Sequence, residues 1–81
     1  MSHRILLVDD EPLNLLVFQY LLEDSGLIVD TAEDGVQALA KTAERHYALI
    51  LMDMQMPRIN GLDATRKIRE LPGYRAVPIL A

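Results

Sequence analysis

The sequence predicts an α/β fold in which helices cover both faces of a parallel β-sheet. Two observations support this prediction. Short, continuous apolar runs, which are typical of strands buried on both faces, alternate along the chain with segments of helical periodicity. The chain has only 81 residues, of which 51% are apolar and 25% charged, and this composition suits one small globular domain. Alternating strands and helices imply right-handed crossovers between parallel strands.

The first half of the chain predicts a strand, a helix and a second strand. Residues 5–8 form the first apolar run, and Pro12 suits the first turn of the helix that follows. Gly26 fits a left-handed helix end, and residues 27–29 predict the second strand. The helix carries two apolar stripes. The stripe expected to face the sheet contains Leu13, Leu16, Val17, Tyr20 and Leu21, and the second contains Leu15, Phe18 and Leu22.

The second half repeats the pattern. Asp34 and Gly35 predict a turn, and a helix follows to about residue 45 with Val36, Leu39, Ala40 and Ala43 on its apolar face. Residues 48–52 predict a third strand, and residues 54–60 a loop that contains Pro57. A third helix is expected over residues 61–71 and a fourth strand over residues 77–81.

Composition excludes several classes of function. The formal net charge of -4 argues against a nucleic-acid-binding surface. No apolar run approaches the roughly 18 residues that span a bilayer, and the N-terminus lacks the pattern of a signal peptide, so we expect a cytoplasmic protein without a membrane partner. The absence of cysteine excludes disulfides, thiolate metal sites and cysteine nucleophiles.

Acidic residues follow two of the predicted strands. Asp9, Asp10 and Glu11 come directly after the first strand, and Asp53 comes directly after the third. If these strands are neighbours in the sheet, their carboxyl ends form a crevice in which the carboxylates converge. Crowded carboxylates repel one another, and a hard cation such as Mg²⁺ would compensate their charge. The alternative is that these acids are ordinary helix caps and turn residues.

Motifs along the whole chain resemble the receiver domain of two-component response regulators. They comprise residues 7–11 (LVDDE), residues 51–57 (LMDMQMP), Gly61 and residues 77–81 (VPILA). The helix that begins at Gly61 is most similar to receivers of hybrid sensor histidine kinases. The resemblance implies a flavodoxin-like, three-layer fold with sheet order 2-1-3-4. We expect residues 1–81 to form a single receiver domain, truncated before the fourth helix, fifth strand and fifth helix.

The resemblance also implies roles for individual residues. Asp53 would accept a phosphoryl group from the phosphohistidine of a histidine kinase or a histidine phosphotransfer protein. Asp10 and Asp53 would bind Mg²⁺ directly, Asp9 would bind it through water, and Gln55 would contribute its backbone carbonyl. The rim of the pocket would contain Glu11, Pro57 and Gly61. Enzymatic activity would be limited to Mg²⁺-dependent self-phosphorylation and slow loss of the phosphoryl group.

The sequence departs from the family pattern at its end. A Ser or Thr beyond the fourth strand and a Lys after the fifth strand are missing, and the two lysines present, Lys41 and Lys67, fall on predicted helices. An alternative function is therefore an interaction module with an acidic metal pocket that is not phosphorylated. The second apolar stripe of the first helix predicts self-association. A phosphohydrolase is disfavoured because Gln55 stands where such enzymes carry a second Asp.

Overall fold

The computed structural model describes residues 3–53 and 61–80. Seven elements alternate between strand and helix along these residues. In chain order they are β1 (Arg4–Val8), α1 (Pro12–Asp24), β2 (Ile28–Ala32), α2 (Gly35–Glu44), β3 (Leu49–Met52), α3 (Gly61–Arg69) and β4 (Ile79–Leu80). Each predicted strand and helix is therefore confirmed, with shifts of a few residues at several ends.

The four strands form one parallel sheet in the order β2-β1-β3-β4. This order confirms the predicted 2-1-3-4 topology. Strand β1 lies in the centre, where Leu6 is paired with Asp30 of β2 and with Ile50 of β3. Because β1 and β3 are neighbours and parallel, their carboxyl ends meet at one edge of the sheet.

Two apolar clusters cover the two faces of the sheet, because successive side chains of a strand point to opposite faces. The larger cluster joins the strands to α2 and α3. Its fully buried members include Leu6, Ile50, Ala38 and Ile68. The smaller cluster lies beneath α1 and consists of Leu7, Leu15 and Val29, with Leu22, Leu27 and Leu51 packed against it.

The prediction of which stripe of α1 faces the sheet is wrong. Leu15 is buried and Leu22 packs against the smaller cluster, so the face assigned to the second stripe is the one that contacts the sheet. Phe18 of that second stripe is half exposed. The first stripe is largely exposed, from 48% for Val17 to 74% for Tyr20. Nearly every position from Leu13 to Leu22 is apolar, so periodicity alone did not identify the buried face.

The buried face of α2 agrees with the prediction at Leu39, which packs against the larger cluster, and differs elsewhere. Gly35, Ala38 and Thr42 are buried, whereas Val36 is 38% exposed. Small residues on this face let α2 approach the sheet closely. The helix begins at the predicted turn, where the side chain of Asp34 caps it by accepting a 2.8 Å hydrogen bond from the backbone N–H of Gln37.

The helix end at Gly26 has the predicted left-handed backbone, with φ of 88°. This conformation is readily available to glycine because it lacks a Cβ atom. It reverses the chain between α1 and β2, which directs β2 alongside β1.

The end of the described chain contains a shorter strand than predicted. Strand β4 comprises only Ile79–Leu80, and α3 ends at Arg69 rather than at residue 71. Pro78 has no N–H to donate, but its carbonyl accepts a 3.0 Å hydrogen bond from the N–H of Ile50. The segment between α3 and β4 is held by Arg69, which donates to the carbonyls of Tyr74 and Val77 at 2.9 and 2.5 Å.

A second contact joins this segment to the residues between α2 and β3. The hydroxyl of Tyr74 donates to the carbonyl of Arg45 at 2.7 Å and accepts from the N–H of Tyr47 at 3.0 Å. His46 stacks on the ring of Tyr74 at a centroid distance of 5.0 Å. Within residues 3–53 and 61–80, no helix has the length and apolar character needed to cross a membrane.

Candidate functional site

The candidate site lies where β1 and β3 end side by side. The backbone N–H of Asp53 donates to the carbonyl of Val8 at 2.9 Å, and the N–H of Asp9 donates to the carbonyl of Ala32 at 3.1 Å. These bonds continue the sheet by one residue past each strand. They fix the backbone of Asp9 and Asp53 at the same edge of the sheet, as expected for the ends of neighbouring parallel strands.

Three carboxylates converge at this edge. One carboxylate oxygen from each of Asp9, Asp10 and Asp53 can be chosen so that all three atoms lie within 4.8 Å of one another. Asp9 and Asp53 are half-buried, and Asp10 is exposed. This proximity, which the sequence predicted, is confirmed.

The donor set fits a hard divalent cation. Carboxylate oxygens are the ligands that Mg²⁺ prefers, and it usually binds one or two carboxylates together with water. Three negative charges this close repel one another, and a bound cation would offset that repulsion. The residues present at the site are therefore suited to hold Mg²⁺.

Asp9 is also tied to the beginning of α1. Its Oδ1 accepts a 2.9 Å hydrogen bond from the backbone N–H of Glu11, and its Oδ2 lies 3.4 Å from Nδ2 of Asn14. One oxygen of Asp9 thus has the turn-stabilising role that was the ordinary alternative for this residue. The same side chain also belongs to the converging group of carboxylates.

A surface cavity of about 470 Å³ opens beside the acidic group. Its polar lining residues are Asp9, Asn14 and Asp53. Its apolar lining residues are Leu7, Phe18, Leu51 and Met52. The acidic group therefore borders a cavity that residues of α1 also line.

The other predicted site residues are only partly placed. Glu11 is the N-cap residue of α1 and is exposed, and it does not belong to the converging group. Gly61 is the first residue of α3. Gln55 and Pro57 lie outside the described residues. Lys41 and Lys67 lie on α2 and α3, as predicted.

Asn14 is the site residue that the sequence prediction missed. It is uncharged and lies among the apolar residues of α1, so no motif singled it out. Its position in the sequence offered one signal. Asn14 lies two residues after Pro12, the first residue of the helix, and four residues after Asp10, so it falls in the first turn of α1. A side chain in the first turn of a helix leans toward the N-terminus, and hence toward Asp9.

Comparison with known proteins identifies the family. The sequence model of the response regulator receiver domain family matches residues 5–81. The chain belongs to the response regulator receiver domain family. The parallel sheet and the acidic edge described above agree with that assignment.

Relatives of this receiver domain include a hybrid signal transduction histidine kinase, a sensor protein and a response regulator. It is 50% identical over 68 residues to the hybrid signal transduction histidine kinase B of Dictyostelium discoideum, covering 84% of this chain and 4% of the relative. It is 47% identical over 66 residues to the sensor protein EvgS of Escherichia coli K12, covering 82% of this chain and 6% of EvgS. The polar-differentiation response regulator DivK of Brucella ovis is 35% identical over all 81 residues, which span 66% of DivK.

Solved structures share the fold. The chemotaxis protein CheY4 of Vibrio cholerae superposes with a TM-score of 0.94 at 32% identity, over 98% of this chain and 66% of that one. The receiver domain of a sensor histidine kinase from Pseudomonas aeruginosa superposes with a TM-score of 0.92 at 39% identity, over 98% of this chain and 65% of that one. In the latter structure a magnesium ion is coordinated in the active site cleft.

Proposed function

We propose that this receiver domain accepts a phosphoryl group on Asp53 in the presence of Mg²⁺. The observation that carries the proposal is the convergence of the Asp9, Asp10 and Asp53 carboxylates at the sheet edge. The magnesium ion in the cleft of the Pseudomonas aeruginosa receiver supports the same assignment of the metal.

In the proposed reaction, a carboxylate oxygen of Asp53 attacks the phosphorus of a phosphohistidine. A P–O bond to Asp53 forms as the P–N bond breaks, and the electron pair of that bond returns to the imidazole. Bound Mg²⁺ supplies positive charge that offsets repulsion between the carboxylate and the phosphoryl oxygens. Asp10 and Asp53 would ligate the ion directly, Asp9 would reach it through water, and the backbone carbonyl of Gln55 would complete the protein ligands.

The proposed phosphodonor is a histidine kinase or a histidine phosphotransfer protein. The names of the hybrid kinase and sensor relatives support this class of partner. Asp53 is half-buried beside an open cavity, so a donor imidazole can approach it without rearrangement of the sheet. We place this exchange in the cytoplasm, in keeping with the location expected from the sequence.

Incubation with acetyl phosphate and Mg²⁺, followed by intact-mass measurement, tests the proposal. We expect the mass to rise by one phosphoryl group, and we expect Asp53→Asn to abolish the gain. Asp63→Asn is the matched control, because Asp63 is an exposed acid on α3. A gain that survives Asp53→Asn would contradict the assignment of the phosphoacceptor.

A second candidate function is that of an interaction module which binds Mg²⁺ but is not phosphorylated. The large apolar side chains exposed on α1 favour this candidate, since such patches mark protein interfaces. One experiment distinguishes the two functions. Mg²⁺ binding without a phosphoryl adduct, from either acetyl phosphate or a phosphorylated phosphotransfer protein, supports the interaction module.

A further inference from the structure

We propose that Asn14 is a positioning residue of the metal site, which holds the Asp9 carboxylate in the orientation that the site requires. The inference rests on the Mg²⁺ site of the proposed function and adds a residue from α1 to it. Asn14 lines the cavity together with Asp9 and Asp53.

The geometry restrains both oxygens of Asp9. Oδ1 accepts from the backbone N–H of Glu11 at 2.9 Å, and Oδ2 faces Nδ2 of Asn14 at 3.4 Å. The first bond alone leaves the carboxylate free to swing about its Oδ1 end. The second contact acts on the other oxygen and therefore favours one orientation of the carboxylate.

The contact between Asn14 and Asp9 is too long to contribute much to the stability of the fold. At 3.4 Å it lies beyond the usual range of N–H···O hydrogen bonds, so it adds little to the stability of the fold. Asp9 is half-buried rather than enclosed, so its carboxylate also has little packing to hold it in place. A weak directional contact is sufficient to bias a side chain that is otherwise held at one oxygen.

The chemistry of an amide suits this position. Asn14 donates a hydrogen bond without carrying a positive charge, so the negative charge of the acidic group remains available to a cation. A lysine or arginine here would compete with the cation for the same carboxylates. Partners of side chains that ligate a metal directly commonly change its affinity by about 10- to 100-fold when they are removed. The effect of Asn14 should be smaller, because Asp9 would reach the ion through water.

Asn14→Leu tests the proposal, because leucine has a similar size but no donor. We expect Mg²⁺ affinity, measured by isothermal titration calorimetry, to fall about threefold, the effect of a hydrogen bond at the weak end of the usual range. We also expect the ratio of Mg²⁺ to Ca²⁺ affinity to fall, since Mg²⁺ demands near-ideal octahedral geometry and Ca²⁺ tolerates a flexible site. Asn14→Gln keeps the amide and should restore part of the Mg²⁺ affinity.

Two further variants complete the experiment. Gln19→Leu makes the same amide-to-leucine change on α1 at a residue outside the cavity lining, and it should leave both affinities unchanged. Asp10→Asn removes a proposed ligand and should abolish binding. Melting temperatures measured without metal separate positioning from stability, and we expect Asn14→Leu to melt close to the wild type.

The possible results are distinguishable. Wild-type Mg²⁺ affinity and Mg²⁺/Ca²⁺ ratio in Asn14→Leu, with binding abolished by Asp10→Asn, would overturn the role of Asn14 and leave the proposed function intact. A proportional loss of both affinities together with a lower melting temperature would also overturn it, in favour of a purely structural role. Failure of the wild type to bind Mg²⁺ would refute the metal site itself and this inference with it.

Discussion

The hydroxyl of Tyr47 donates a 2.7 Å hydrogen bond to Oδ2 of Asp30, and this contact joins the segment between α2 and β3 to the edge strand β2. Nη1 of Arg4 lies 3.2 Å from both carboxylate oxygens of the same Asp30, and Nη1 of Arg45 lies 3.6 Å from Oδ2. Tyr47 is buried, whereas the Asp30 side chain keeps 24% of its exposure. The network therefore holds a partly buried charge with several donors.

Asp30 should make stability depend on acid pH. Burial raises the pKa of Asp30, but hydrogen bonds from Tyr47 and Arg4 and the nearby charges together lower it below its ordinary value. A lowered folded-state pKa contributes stability above the unfolded pKa of about 4, and this contribution is lost as pH falls through the folded pKa. Urea unfolding measured from neutral to acid pH should show this loss, and Asp30→Asn should reduce it.

The control for this prediction is Asp24→Asn, because Asp24 is an exposed acid at the end of α1. Its pH profile should follow the wild type. An Asp30→Asn protein that retains the full acid-dependent loss would show that other carboxylates are responsible. Tyr47→Phe removes one donor and should lower the free energy of unfolding at neutral pH by roughly 1.5–3 kcal/mol.

Arg69 should be the most important cation of α3 for stability. Its Nη1 donates to the carbonyls of Tyr74 and Val77 at 2.9 and 2.5 Å, and lies 3.4 Å from that of Arg75. Arg69→Met should therefore lower the free energy of unfolding by roughly 1.5–3 kcal/mol, the usual range for hydrogen bonds that involve a charged group. Chemical denaturation measures this change.

The matched control is Arg66→Met on the same helix. Arg66 is exposed, and its ion pair with Asp63, three residues earlier on α3, is long at 3.9 Å. We expect its effect to stay within about 0.5 kcal/mol. Hydrogen exchange provides a local readout. The N–H of Ile50, which donates to Pro78, should lose protection in Arg69→Met, and unchanged protection would argue against a role for Arg69 in holding β4.

The sheet was predictable because its signals are local. Four short apolar runs, Pro12 and Gly26 define the elements, and their alternation defines the parallel topology. The buried face of α1 was not predictable in this way. Leucines occur on every side of that helix, and only the packing of Leu15 and Leu22 against the sheet shows which side is buried.

The acidic site was also predictable, because Asp9, Asp10 and Asp53 directly follow strands whose ends must meet. Asn14 was not, since its place at the site depends on the angle at which α1 leaves β1. The sequence reveals the spacing of Asn14 from Asp9 but not the direction of its side chain.

The substitution Asp10→Asn should separate the effect of charge repulsion on stability from the effect of bound Mg²⁺. In the presence of a chelator, Asp10→Asn should melt at or above the wild-type temperature, because it relieves repulsion with Asp9 and Asp53. Mg²⁺ at one hundred times its Kd should stabilise the wild type by about 2.7 kcal/mol. Asp10→Asn should lose most of this gain, and an equal gain in the two proteins would contradict the proposed ligand role of Asp10.

The exposed face of α1 should drive concentration-dependent association of the 81-residue chain. Leu13, Leu16 and Tyr20 are each at least 65% exposed, and contiguous apolar surface of this kind promotes protein contacts. Light scattering should show a mass that rises with concentration. Leu16→Glu should reduce the rise in mass, because a charge at the centre of this face must be desolvated on contact. Lys67→Glu on α3 is the control, since it also adds negative charge but leaves the face of α1 intact, and it should not reduce the rise. A compact monomer at high concentration, or an equal response to both substitutions, would contradict an interface on α1.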